Sequence, residues 1–183
     1  MTHPFAVDVD TLSGMRPLST AVFALGSNLG DRLENLQGAL EGLRNTPDVM
    51  VVDVSAVYET AAVGGPEDNP DFLNAVVVTE TTLQPRTLLE RALAIEDAYG
   101  RIREEVDGPR TLDVDLLIVG KREIDEKALR LPHPRAHERA FVLVPWHEVD
   151  PRASIPGHGA VADLLADLDT SGVRRRDDLV LED

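Results

Sequence analysis

An α+β fold is what the sequence predicts, on three observations. Stretches of period-two alternation and stretches of helical spacing follow one another in the order strand, helix, strand, strand, helix, strand. Gly, Pro and Asn punctuate the junctions between them. The 183 residues, 43% of them apolar, suffice for one substantial core.

The first strand falls over residues 20–28, where Ala21, Phe23 and Leu25 alternate with Val22 and Ala24 before the turn Gly26-Ser-Asn28. Taken alone, that turn reads as a structural one. Asp31 then caps a helix, with Glu34 three residues on and Leu33, Leu36, Leu40 and Leu43 at helical spacing. Residues 49–58 and 72–81 read as a second and a third strand, separated by a loop over 59–71 rich in Gly and Pro. A second helix starts at Gln84-Pro85, turns Leu88, Leu89, Ala92, Ile95 and Tyr99 inward and stops at Gly100. A loop over 101–110 feeds a buried strand that ends at the turn Gly120-Lys121. This βαββαβ order is the ferredoxin-like arrangement, a sheet with two helices on one face. Beyond it the sequence predicts a C-terminal extension with a Pro-marked loop at 131–135, a short apolar strand at 141–145 and a last helix over about 160–168. Residues 1–18 read as a loose extension, leaving 19–183 as a single domain.

Composition excludes several classes of function. With no cysteine there is neither a disulfide framework nor a thiolate metal site. The N-terminus lacks the basic start and apolar stretch of a signal peptide, and no apolar run is long enough to cross a bilayer. A cytoplasmic monomer is therefore expected. The net charge of −15 repels nucleic acid and anionic membrane, so neither is expected as a partner. Between residues 101 and 139, however, nine basic residues balance nine acidic ones. Sixteen of the chain's 18 basic residues are Arg, whose planar fork grips phosphate oxygens in pairs.

The same stretch carries Asp113 and Asp115, one residue apart on the buried strand. Period two turns both carboxylates to one side while Leu112, Val114 and Leu116 turn to the other. Paired hard oxygen ligands on a rigid element suit magnesium, which completes its shell with water and phosphate oxygens and so implies a nucleoside triphosphate. There is no G-x-x-x-x-G-K-[ST] phosphate loop and no G-x-G-x-x-G after a strand, which excludes the P-loop and dinucleotide routes to that chemistry.

The segments Ala24-Leu-Gly-Ser-Asn-Leu-Gly30, Val57-Tyr-Glu-Thr60, Asn69-Pro-Asp-Phe-Leu-Asn-Ala75, Gly100-Arg-Ile-Arg103, Gly108-Pro-Arg-Thr-Leu-Asp-Val-Asp115, Leu131-Pro-His-Pro134 and Arg139-Ala-Phe-Val-Leu143 occur in one order. Together, over residues 20–169, they resemble the 6-hydroxymethyl-7,8-dihydropterin pyrophosphokinase family of folate biosynthesis. The resemblance implies transfer of the β,γ-diphosphate of ATP to the pterin hydroxymethyl group, with AMP leaving and two Mg²⁺ ions held by Asp113 and Asp115. It also implies that Arg101 and Arg110 assist transfer, that Arg103, His133 and Arg139 contact the triphosphate or nucleoside, and that Glu96 lies near the adenosine. On the pterin side it implies Asn74 as the edge-pairing amide, Phe141 as the stacking ring, Phe72 where the family often has Tyr, and Thr60, Ala61 and Val63 as wall contacts.

The chain departs from the family in one place. Just before Gly-Pro-Arg, where the family usually has a basic residue and Trp or Phe, it has Glu104-Glu-Val-Asp107 and is one residue shorter. Three acids near a triphosphate repel it unless they turn to solvent, so weaker nucleotide binding or altered loop closure is expected. Plainer readings apply elsewhere. The spacing of His133 and His137 would suit zinc on a helix, but Pro134 disfavours the helix and a third ligand is missing. Arg174-Arg-Arg176 reads as a solvated patch and Trp146 as core. Two rival classes, a nucleotidyl transferase or cyclase and a non-catalytic ligand-binding domain, share the element order. The first leaves residues 69–74 unexplained, and the second has no need of the aspartates together with Arg101 and Arg110.

Overall fold

The computed structural model describes residues 16–62, 65, 67–99 and 111–183. Of the expected extension over 1–18, residues 1–15 lie outside these. Its centre is β1 (Ser19–Ser27), which pairs antiparallel with β4 (Phe72–Thr81) on one side and β5 (Asp113–Val119) on the other. Beyond β4 lie β2 (Val49–Val54) and β3 (Tyr58–Thr60), both antiparallel to it, and β10 (Arg174–Arg175) pairs with β3. Two short hairpins, β6 (Ile124–Asp125) with β7 (Arg130–Leu131) and β8 (Ser154–Ile155) with β9 (Gly159–Ala160), stand apart from this sheet.

A single second strand over 49–58 is expected from the sequence, and the structure divides it in two. Ser55 is the cause: its N–H donates to Val76 O while its Oγ accepts from Val76 N–H. The side chain takes the part of a backbone carbonyl, so the strand bends without orphaning β4.

Two helices follow from local chemistry. The first, α1 (Arg32–Arg44), is capped by Asp31, whose Oδ1 accepts the Glu34 N–H at 3.1 Å. The second, α2 (Pro85–Ala98), begins with Pro, whose missing N–H costs nothing in a first turn. Both lie on one face of the sheet, where Leu36, Leu40, Leu43, Leu88 and Ala92 meet Ala21, Phe23 and Leu25 of β1. Gly38 permits their approach: a Cβ there would stand 1.4 Å from Tyr99 Oη.

The other face is covered too. Residues 141–145, expected as a strand, belong to helix α3 (Ala140–Val149), which a 3₁₀ turn (Ala136–Glu138) precedes. A continuous apolar run has no period that separates a buried strand from a buried helix, and here burial of Val142, Leu143 and Trp146 on one side selects the helix. With α4 (Val161–Ala166) it packs on Val22, Val76 and Val78, which alternate with the first core, and on the neighbours Leu117 and Ile118, which a register shift in the β1–β5 ladder turns to one face.

The chain then returns to the first face. Leu179 and Leu181 pack against that core, and Arg44 and Gln37 hold Glu182 O. The Arg174-Arg-Arg176 run, expected as a solvated patch, does leave Arg174 and Arg175 exposed, and it is also part of the sheet: β10 pairs with β3, and Arg176 N–H donates to Val57 O at 2.8 Å. Among the described residues no helix is long and apolar enough to cross a membrane.

Candidate active site

Gly26, near the end of β1, is the shared rung of two ladders, opposite Asn74 of β4 and Asp113 of β5. A Cβ on it would lie 3.5 Å from Asn74 Oδ1 and from the Phe72 ring. An Ala would therefore fit, but it would fill the floor of the space between the two side chains. That space is part of a cavity of about 500 Å³, within the usual range of small-molecule sites. The turn after Gly26 ties its surroundings together. Ser27 Oγ and Asn35 Nδ2 donate to Thr111 O at the entry to β5, and Asn28 Nδ2 donates to Asn69 Oδ1 and Pro70 O at the entry to β4.

One end of the cavity is acidic. Asp113 and Asp115 line it from β5, and Glu96 of α2 brings a third carboxylate, with ligand oxygens of all three within 4.8 Å of one another. Glu96 is 1% exposed, and its Oε1 accepts the N–H of Val114 at 3.0 Å. The resemblance implies a place for it near the adenosine; in the structure its carboxylate also holds the N–H of the residue between the two aspartates. Three carboxylate donors without sulfur or a solvent-free cage fit a hard cation such as magnesium.

His133 stands beside this group, its Nε2 4.0 Å from Asp115 Oδ2. Burial and the neighbouring Arg139 and Arg135 push its pKa down to about 4, against the opposite pull of Asp113, so the ring is neutral at neutral pH. Arg139 caps α3 and holds its guanidinium 5.5 Å from the centre of the Phe141 ring.

The other end sets an amide among aromatic side chains. Asn74 is 5% exposed, and its Nδ2 donates to Thr60 Oγ1 at 2.9 Å. Phe72, Phe141, Thr60 and Ala61 complete this part of the wall.

Of the expected site residues, the structure brings Thr60, Ala61, Phe72, Asn74, Asp113, Asp115, Arg139 and Phe141 into one cavity, with His133 and Glu96 at its acidic end. Arg101, Arg103, Arg110 and Val63, and the departure over 104–107, lie outside the described residues. Arg135, Glu138, Asp169, Gly172 and Val173 also line the cavity and were not anticipated. Arg135 and Glu138 sit between two motifs and had a positional signal. The three C-terminal residues had none.

An antiparallel α+β sheet with three converging carboxylates beside a ring-sized cleft defines a class, that of enzymes acting on a small molecule beside a cluster of acids. The chain belongs to the 7,8-dihydro-6-hydroxymethylpterin-pyrophosphokinase family, whose model matches residues 22–151. It is thus a pyrophosphokinase, a transferase of folate biosynthesis. The 2-amino-4-hydroxy-6-hydroxymethyldihydropteridine pyrophosphokinase of Methylorubrum extorquens is 45% identical over 86% of this chain and 99% of its own. That of Bacillus subtilis is 46% identical over 70% of this chain and 77% of its own. Among solved structures, the HPPK-DHPS chain of Plasmodium falciparum, crystallised with pterin and p-hydroxybenzoate, superposes with a TM-score of 0.65 at 14% identity over 89% of this chain. The chain spans about half the length of that protein, 46% of it.

Proposed function

We propose that this chain transfers the terminal diphosphate of ATP to the hydroxymethyl group of 6-hydroxymethyl-7,8-dihydropterin and releases AMP. The observation that carries this reading is one cavity with the Asp113, Asp115 and Glu96 carboxylates at one end and Asn74 with two Phe rings at the other. In the reaction the hydroxymethyl oxygen bonds to the β-phosphorus, the bond from that phosphorus to the α-phosphate oxygen breaks, and the hydroxyl proton leaves to solvent.

Asn74 orients the pterin. Thr60 takes one of its N–H donors, leaving the other N–H and Oδ1 to pair with the ring's polar edge. Phe141 and Phe72 sandwich or flank the ring and exclude water, which otherwise competes as nucleophile. Asp113 and Asp115 would hold two magnesium ions, whose chemistry when bound is to offset the polyphosphate's charge. Arg139, and by family resemblance Arg101, Arg103 and Arg110, supply guanidinium groups to the phosphates. Neutral His133 adds no charge there and can donate or accept a hydrogen bond. Positioning of this kind is the larger share of phosphoryl-transfer catalysis.

We further read the strand order β2/β3-β4-β1-β5, with α1 and α2 on one face, as ferredoxin-like, residues 19–183 as one pyrophosphokinase domain, and the protein as cytoplasmic. Incubation with ATP, Mg²⁺ and 6-hydroxymethyl-7,8-dihydropterin tests the proposal. AMP formed only when pterin is present supports it; pyrophosphate release, or no turnover, overturns it.

A further inference from the structure

Glu59 is a nearly buried acid with no part in the chemistry above. Its side chain is 11% exposed and faces three arginines: Oε2 meets Arg32 Nη1 at 2.7 Å, and Oε1 meets Arg174 Nη2 and Arg176 Nη1, each at 3.1 Å. Arg32 also donates to Asp71 O at 3.0 Å, and Arg174 reaches Asp71 Oδ2 at 3.5 Å. One carboxylate thus gathers the start of α1, the residue before β4 and the C-terminal strand β10.

The sequence neighbours of this cluster are the informative part. Thr60 follows Glu59, Phe72 follows Asp71 and Val173 precedes Arg174. All three neighbours line the cavity, as do Gly172 and Asp169 of the same C-terminal segment, and the register of Arg174 opposite Glu59 brings Val173 beside Thr60. Three wall segments from distant parts of the chain are therefore each pinned one residue away from a shared ionic knot. No residue of the knot itself lines the cavity.

We infer that Glu59 is a positioning residue for the pterin subsite, and that the C-terminal segment ending in Val173 is the specificity wall it sets in place through Arg174 and Arg176. Removing the charge of Glu59 leaves three guanidinium groups facing one another with Asp71 beside Arg174 and Asp178 beside Arg176 as their remaining counter-charges, and the net repulsion loosens β10 from β3. Val173 then withdraws while Asp113 and Asp115, on the far side of β1, stay where they are. The effect falls on pterin affinity and spares the nucleotide.

This inference rests on the pterin reading of the cavity, and kinetics with both substrates separates the two. In Glu59→Gln, KM for the pterin rises about tenfold, whereas kcat and KM for ATP stay within about twofold. Arg174→Gln, a change at an exposed side chain that keeps the protein folded if Glu59→Gln does not, raises the same KM about threefold. Val173→Phe leaves the knot intact but narrows the wall, and weakens binding of 6-hydroxymethylpterin, followed by its fluorescence. Wild-type pterin KM and pterin binding in Arg174→Gln and Val173→Phe overturn the inference, as does a Glu59→Gln protein that loses thermal stability but keeps its pterin KM. A wild-type chain that makes no AMP from pterin and ATP overturns the functional reading instead, and the inference with it.

Discussion

The two ends of the cavity are built in opposite ways. At the acidic end Asp113 and Asp115 come from one strand two residues apart, and Glu96 reaches the peptide between them from the adjoining helix. At the ring end Thr60, Phe72 and Val173 come from segments up to more than a hundred residues apart and meet through tertiary contacts. A site assembled along one strand is rigid and tolerant of changes elsewhere; a site assembled across the fold depends on whatever holds its segments together. Damage to the first end should appear in turnover, and damage to the second in pterin affinity.

Replacing both Asp113 and Asp115 with Asn is the severest test of that division. AMP production should fall by about a thousandfold or more, with pterin binding, read by fluorescence titration, little changed. Equal loss of both would show that the two ends are not separable. Asn74→Ala comes next: the lost edge pairing should raise KM for pterin about thirtyfold and leave KM for ATP alone, as steady-state kinetics with each substrate varied will report.

The ionic knot gives the ring end a dependence on pH of its own, beside that of the carboxylates and His133 at the acidic end. Burial alone would raise the Glu59 pKa, but Arg32 and Arg176 outweigh it and hold the carboxyl below its ordinary value. A depressed carboxyl favours the folded state above its unfolded pKa, near 4.5, and that contribution is lost as pH falls through the folded value. Thermal stability should therefore begin to fall below about pH 4.5, pterin KM should rise only at the lower pH where the folded carboxyl protonates, and Glu59→Gln should flatten that part of each curve. The mildest change is Asp31→Ala, which belongs to neither end. Loss of the cap should cost about 1 kcal/mol in denaturant unfolding, with kcat and both KM values unaltered.

The same contrast governs what could be read before the fold was known. Asp113-x-Asp115 announces its geometry in two residues, because alternation along a strand is a local rule, and Asp31 with Glu34 announces a helix start in the same way. Helix α3 did not announce itself, since Phe141-Val-Leu-Val-Pro145 is apolar throughout and its state depends on the sheet face it covers. Glu96 was singled out only by the family resemblance, because its partner, the Val114 N–H, is a backbone group that no side-chain pattern marks. The Arg174–Arg176 run was opaque for a similar reason: Glu59 lies 115 residues from Arg174, and only the pairing of β10 with β3 joins them.

Gly26 has one further consequence. Because Asn74 and Asp113 occupy the strands on either side of it, their separation equals two inter-strand spacings, roughly 10 Å, fixed by peptide hydrogen bonding. On the proposed reading that interval is a built-in ruler between the bound heterocycle and the acids that would hold the cation, and no single side-chain replacement can stretch or shorten it. A substrate whose carbinol arm is one atom longer would be held in register at its ring and out of reach at its oxygen. Any descendant enzyme that accepts such a compound must change its loops and wall, because the graduation itself is set in the backbone.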